Sequence, residues 1–190
     1  MKIDIISDTV CPWCLIGKRK LEAALAQRPD LNVEITWHPF QLHPDMPPEG
    51  ADRKEFTAAK FGSVERAREL YENVRLAGEA VDLAFEFGKI KRSPNTLDSH
   101  RLIRWSESVG LQNDLVENLF RKFFMEGLDL GDQQVLVEAA EEVGMDKDLV
   151  KELLSGDKDK ELDNLAQSTF FISLKEKVSR KKRYPKKTNR

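Results

Sequence analysis

An α/β fold, in which a β–α–β unit opens into a long helical segment, is predicted by three features of this 190-residue chain. Lys2 to Ser7 is a short run in which Ile3, Ile5 and Ile6 supply the β-branched bulk of a buried strand. After the turn Asp8-Thr9-Val10, a helix is expected from Cys11 to about Gln27. Leu15, Ile16, Leu21, Ala24 and Leu25 fall on its inner side, and Lys18, Arg19 and Glu22 on the outer. Arg28-Pro29-Asp30 stops it. Val33 to Leu42 then alternates, with Val33, Ile35 and Trp37 against Glu34, Thr36 and His38, as a half-buried strand does. Because a helix separates the two strands, they are expected to pair in parallel.

Pro44 to Gly50, with three prolines, reads as an exposed linker, after which the periodicity becomes helical. Helices are expected over Phe56–Phe61, Val64 to about Phe87 and Asn95–Val109. Another follows through the stripe Leu115, Val116, Leu119, Phe120, Phe123 and Phe124. Asp132 and Gly144 bracket the next, and Asp146 begins one that closes at Gly156. Asp157 starts a last one. Trp105 and the phenylalanine stripe read as core.

Charged residues make up 34% of the chain and hydrophobic ones 40%, with no run near the roughly 18 apolar residues of a membrane span. The N-terminus enters the first strand directly, with no secretory signal pattern, so the cytoplasm is expected. The two cysteines stand three positions apart, which suits chemistry better than a staple, because closing so short a loop stabilises little.

Cys11-Pro12-Trp13-Cys14 reads either as a redox centre or as half of a zinc site. Zinc needs four ligands, and the remaining candidates, His38, His43 and His100, lack finger spacing, so no metal is expected. The redox reading has a mechanism. A cysteine at a helix N-terminus meets unpaired N–H groups and the positive end of the helix dipole, and both favour a thiolate. Such thiols reach pKa values of roughly 3.5–7.5. Pro12 suits the first helical turn, Trp13 offers an apolar face to a polypeptide, and Cys14 sits one turn inward. Cys11 is thus the expected nucleophile and Cys14 the resolving thiol, with no cofactor beyond the dithiol itself.

Three stretches carry a resemblance: Ser7-Asp8-Thr9-Val10-Cys11-Pro12-Trp13-Cys14 with Gly17, Trp37-His38-Pro39-Phe40-Gln41-Leu42, and Asn95-Thr96 with His100-Arg101-Leu102. Over about residues 1–166 the chain resembles the DsbA-like, FrnE-type branch of the thioredoxin superfamily. The resemblance implies a thioredoxin-like βαβ unit with a large all-helical insertion, and a thiol–disulfide oxidoreductase or isomerase acting on cysteine-containing protein substrates. Glutathione is the candidate reductant. It also sets His38, Pro39 and Phe40 beside the redox centre, and Asn95 and His100 near the active-site face. His38 reads equally as a satisfied strand-end histidine, Asn95 as a helix cap and His100 as a packed core residue.

After Ala166 the pattern departs. The family's cis-proline loop, hairpin and final helix have no counterpart, so the C-terminal part of the thioredoxin core reads as missing or replaced. The first strand is then left with an apolar edge. Lys175 to Arg190 holds nine Lys or Arg and one Glu, a charge of +8, which leaves −10 on the rest of a chain whose net charge is −2. A switch this abrupt is what an A-rich gene read out of frame after about residue 167 would produce, and the nucleotide sequence tests it. A basic tail for nucleic acid is the competing reading, but no stacking aromatics accompany it and nucleic acid is not an expected partner. The expected organisation is a βαβ unit over 1–43, a helical insertion over 44–166 and an atypical basic tail over 167–190. Two other functions fit the pattern: a kappa-class glutathione transferase or 2-hydroxychromene-2-carboxylate isomerase, which usually has Ser at the Cys11 position, and a truncated, inactive family member.

Overall fold

In a computed structural model, described here for residues 1–156, β1 (Lys2–Ser7) pairs in parallel with β2 (Glu34–Pro39) across α1 (Pro12–Ala26). The register sets Ile5 opposite Trp37 and Ile6 opposite His38. This is the expected mixed α/β unit. The other edge of β2 is closed by a side chain: Gln112 accepts the Trp37 N–H at 2.7 Å and donates to the Trp37 carbonyl at 3.1 Å. One amide thus does the hydrogen bonding of a missing neighbour strand.

Six helices follow: α2 (Arg53–Phe61), α3 (Val64–Glu79), α4 (Leu97–Glu107), α5 (Gln112–Arg121), α6 (Gln133–Glu142) and α7 (Lys147–Ser155). Two-residue strands β3 (Ala51–Asp52) and β4 (Arg92–Ser93) tie the start of α2 antiparallel to the segment before α4. Asp52, Ser63, Asp132 and Asp146 cap α2, α3, α6 and α7 by accepting first-turn N–H groups. Residues 1–156 form one compact unit, and none of its helices is long and apolar enough to cross a membrane. The helix expected from Asp157, the missing thioredoxin core and the basic tail all lie outside the described residues.

The core runs from β2 into the helices. Trp37 meets Phe120 edge-on at 6.5 Å, Phe120 stacks on Phe124 at 6.0 Å, and Phe124 meets Phe123 and Phe85 edge-on. The phenylalanine stripe is core as expected, and Trp105 packs partly buried against it.

Four expectations need correction. α3 ends at Glu79 rather than near Phe87, because the chain turns back through Asp82 at φ 59° and seats the Phe85 ring on Gly78. A Cβ on Gly78 would lie 2.4 Å from that ring. The stripe after Leu115 is not one α-helix: Lys122–Glu126 forms a π-helical turn, which frees the Phe124 carbonyl to accept the Glu86 N–H at 2.8 Å. The proline-rich linker is exposed at its prolines yet anchored at Met46, which is buried and whose carbonyl takes a hydrogen bond from Asn95.

Finally, Lys18 is buried and Ala24 exposed, the reverse of the helix-face reading. Lys18 pairs with Glu22 and, at 2.8 Å, with Glu117 of α5, where Arg19 also binds, so ion pairing draws it inward. Burial would push the Glu117 carboxyl up, but Arg19 and Lys18 hold it down to about 2. A carboxylate depressed in the fold contributes stability above its unfolded value near 4.5 and loses it as pH falls towards 2. Glu117→Gln is therefore expected to lower stability by about 1–2 kcal/mol at pH 7, allowing for solvent screening. Urea titrations of the two proteins should converge between pH 4.5 and 2; a gap independent of pH would contradict this.

Candidate functional site

Cys11 is the N-cap of α1, with extended backbone (φ −96°), and Pro12 follows at the first helical position. The Asp8 carbonyl accepts the Cys11 N–H at 3.0 Å, which closes the turn that brings the chain from β1 into α1. Both cysteines are free thiols and half-buried. Cys11 lines a cleft of about 470 Å³ together with Pro12 and Trp13, whose indole is 55% exposed. Cys14 instead packs against the core beneath.

The two thiols interact closely enough to titrate as a unit. Holding the shared proton, helped by burial, pushes Cys11 up, although the N–H groups of Cys14 and Trp13 favour its thiolate. Cys14 drops to about 6, first through the Cys11 hydrogen bond and, against burial, through the Ser7 hydroxyl and the Asp8 N–H; the Asp8 carboxylate works the other way. The sequence placed the first thiolate on Cys11. In this geometry the first thiolate belongs to the pair: the helix N–H groups favour it at Cys11, and β1 supplies Cys14 with donors that helix position alone does not reveal.

Behind the pair lies a buried polar knot. Asp8 accepts N–H groups from Leu42 at 2.7 Å and from Val10 at 3.4 Å, and its Oδ1 lies 3.4 Å from His100 Nε2. That nitrogen is also 3.2 Å from the Phe40 carbonyl, so with two acceptors facing it, Nε2 carries the proton. Thr9 and Ser99 hydroxyls meet at 2.9 Å beside it. Asn95, just before the N-cap Thr96 of α4, accepts the Leu97 N–H at 2.9 Å, donates to Met46 O at 2.6 Å and meets Gln41, so it ties the start of α4 to the chain after β2.

The sequence-derived residues therefore separate. Cys11, Pro12 and Trp13 face the cleft, and Cys14 lies under it. His100, Asn95 and the Phe40 backbone support it from behind. His38 pairs with Asp4 across the two strands at 2.9 Å, and neither it nor Pro39, the last residue of β2, lines the cleft. Sequence reasoning did not single out Asp8 as a site residue, nor Arg53, Phe56, Lys60 and Tyr71, which wall the cleft from α2 and α3. The spacing of Arg53, Phe56 and Lys60 along one helix face was the available signal. Among the described residues, no group of three His, Cys, Asp or Glu side chains could hold a metal ion.

A parallel β–α–β unit with a dithiol at the helix start, its cleft walled by helices, defines a thioredoxin-fold dithiol protein. The DSBA-like thioredoxin domain matches residues 2–169, and the chain belongs to that family. A probable DsbA oxidoreductase from Streptomyces coelicolor superposes with a TM-score of 0.79 at 28% identity, covering 89% of this chain and 74% of that one. Two structures share the fold at lower identity. One is a 2-hydroxychromene-2-carboxylate isomerase (TM-score 0.61, 14% identity, 89% of this chain and 78% of that one). The other is the cytosolic disulfide reductase DsbM from Pseudomonas aeruginosa with GSH (TM-score 0.59, 15%, 92% and 81%). The uncharacterized protein YwbO of Bacillus subtilis is 26% identical over 144 residues, 76% of this chain and 66%, just under two thirds, of its own length.

Ultraviolet thiolate absorbance of the reduced chain should rise with a first midpoint near pH 6. Ser7→Ala, which removes a donor to Cys14, should move that midpoint up, and Asp8→Asn, which removes a repelling charge, should move it down. A midpoint unchanged in both variants would rule out this account of the pair.

Proposed function

We propose that the chain is a thiol–disulfide oxidoreductase or isomerase that exchanges disulfides with protein cysteines through Cys11 and Cys14. The observation that carries the reading is the placement of the pair at the start of α1: Cys11 opens on the cleft, while Cys14 packs against the core beneath it. With the proton of the pair on Cys14, the Cys11 thiolate attacks a substrate disulfide, a mixed disulfide forms and one substrate thiolate leaves. Cys14, deprotonated in turn, attacks Cys11 Sγ, expels the second substrate thiolate and closes the Cys11–Cys14 disulfide. The substrate gains two electrons and the protein loses two; the reverse sequence oxidises a substrate dithiol. A reducing compartment such as the cytoplasm suits the cycle, with glutathione as the external reductant.

The kappa-class transferase or isomerase reading has support from the shared fold alone. There a bound thiol, rather than Cys11, would do the chemistry. The two separate on Cys11→Ser. Under our proposal, reduction of a protein disulfide falls to the uncatalysed rate, a loss of at least about 100-fold by analogy with other nucleophile removals. Cys14→Ser should accumulate a mixed disulfide visible by intact-protein mass spectrometry. Unchanged exchange by Cys11→Ser would defeat the proposal.

A further inference from the structure

α4 enters the site with its first turn, where Ser99 and His100 meet the segment that leads into Cys11. Ser99 stands 2.9 Å from the Thr9 hydroxyl. His100 reaches further: its Nε2 lies 3.2 Å from the Phe40 carbonyl and 3.4 Å from Asp8 Oδ1. The side chains of His100 and Asp8 are each 1% exposed, so bulk water cannot stand in for either partner. Among the described residues, the polar contacts of the imidazole are to Phe40 and Asp8. It reaches the dithiol only through the carboxylate.

A buried carboxylate has to be met by donors from within the protein. Those facing Asp8 are the Leu42 N–H at 2.7 Å, the Val10 N–H at 3.4 Å and the His100 imidazole. The first two belong to the backbone of the strand end and the turn. His100 is a side chain brought from a distant stretch of the chain, and a substitution can remove it.

Asp8 acts on Cys14 in two opposed ways: its N–H supports a thiolate there, and its carboxylate repels one. His43, from the loop after β2, and Lys60 of α2 also feel the Asp8 charge. Both of these line the cleft, whereas His100 meets the carboxylate from behind. A proton held against a buried carboxylate offsets part of its field, and in a low-dielectric setting a neighbouring thiol feels what remains. Because the same N–H also faces the Phe40 carbonyl, the imidazole fixes where the carboxylate sits relative to the end of β2.

We propose that His100 is a positioning residue of the redox centre: its Nε2–H holds Asp8 at the strand end and shields the dithiol from the carboxylate's charge. Its role in turnover rests on the exchange chemistry proposed above, whereas its effect on ionisation is measurable whether or not the chain exchanges disulfides.

The test is a double-mutant cycle on the ultraviolet thiolate titration of the reduced full chain. His100→Phe, which keeps an aromatic ring and removes the N–H, should move the first midpoint up by roughly half a unit to one unit. That is a fraction of the roughly 1–3 units by which a nearby charge moves such a group. His100→Gln, whose amide still donates, should recover part of the shift. Combined with Asp8→Asn, which removes the charge, His100→Phe should move the midpoint no further. A shift of the same size in both backgrounds, a downward shift or none would overturn the proposal. Should the buried substitutions unfold the chain, the wild type supplies a second readout. It holds three histidines, so ¹⁵N-histidine spectra can resolve the His100 Nε2 signal. That signal should respond as the dithiol ionises and lose the response in Asp8→Asn; a signal blind to the dithiol would overturn the proposal too. The expected shifts in a chain that exchanges no protein disulfide would instead overturn the exchange reading and leave the hold of His100 on the pair standing.

Discussion

The Asp8 carboxylate, buried where β1 turns into α1, is the point on which the geometry of the site depends. Its two oxygens hold the N–H groups of Val10, in the turn before Cys11, and of Leu42, where the chain leaves β2, and they face the proton of His100 on α4. Three segments far apart in the chain are thereby referred to one group. A buried charge has to be met by donors from several directions or it is expelled, and a carboxylate that is met in this way locks those donors in place. The sulfurs inherit that order: Cys14 receives the Asp8 N–H and feels the Asp8 charge.

The helical segment builds the other side of the site and supports the sheet. Gln112 of α5 satisfies the outer edge of β2 at Trp37, and Trp37 carries the contact on into the phenylalanine cluster through Phe120. α2 and α3 wall the cleft that faces Cys11. The βαβ unit brings the dithiol and the helices bring the enclosure, so the sulfurs and the shape of the site come from different stretches of one chain. The cleft's two cations, Arg53 and Lys60, both stand on α2.

Local rules were legible in the sequence wherever a residue acts on its neighbours. The two strands, the helix start at Cys11-Pro12 and the Asp132 and Asp146 caps all came from spacing and residue type. The failures share a cause. Lys18 was assigned outward because it is charged, but Glu117, about a hundred residues further along, draws it in. α3 stops early because Phe85 needs the bare face of Gly78, and the α5 stripe breaks into a π-helical turn that frees a carbonyl for Glu86. Each depends on a partner distant in sequence or on the far side of a turn.

The candidate site divides along the same line. By itself, the sequence determined the presence of a dithiol at a helix N-terminus between parallel strands, because strand, turn, proline and helix are short-range choices. Only the tertiary structure decided that Ser7 and the Asp8 N–H meet Cys14, that His38 belongs to a cross-strand pair rather than to the cleft, and that Arg53 and Lys60 line the cleft with Cys11. Electrostatics and enclosure depend on distances through space, and those are set when the whole core closes, not by the order of residues along the chain.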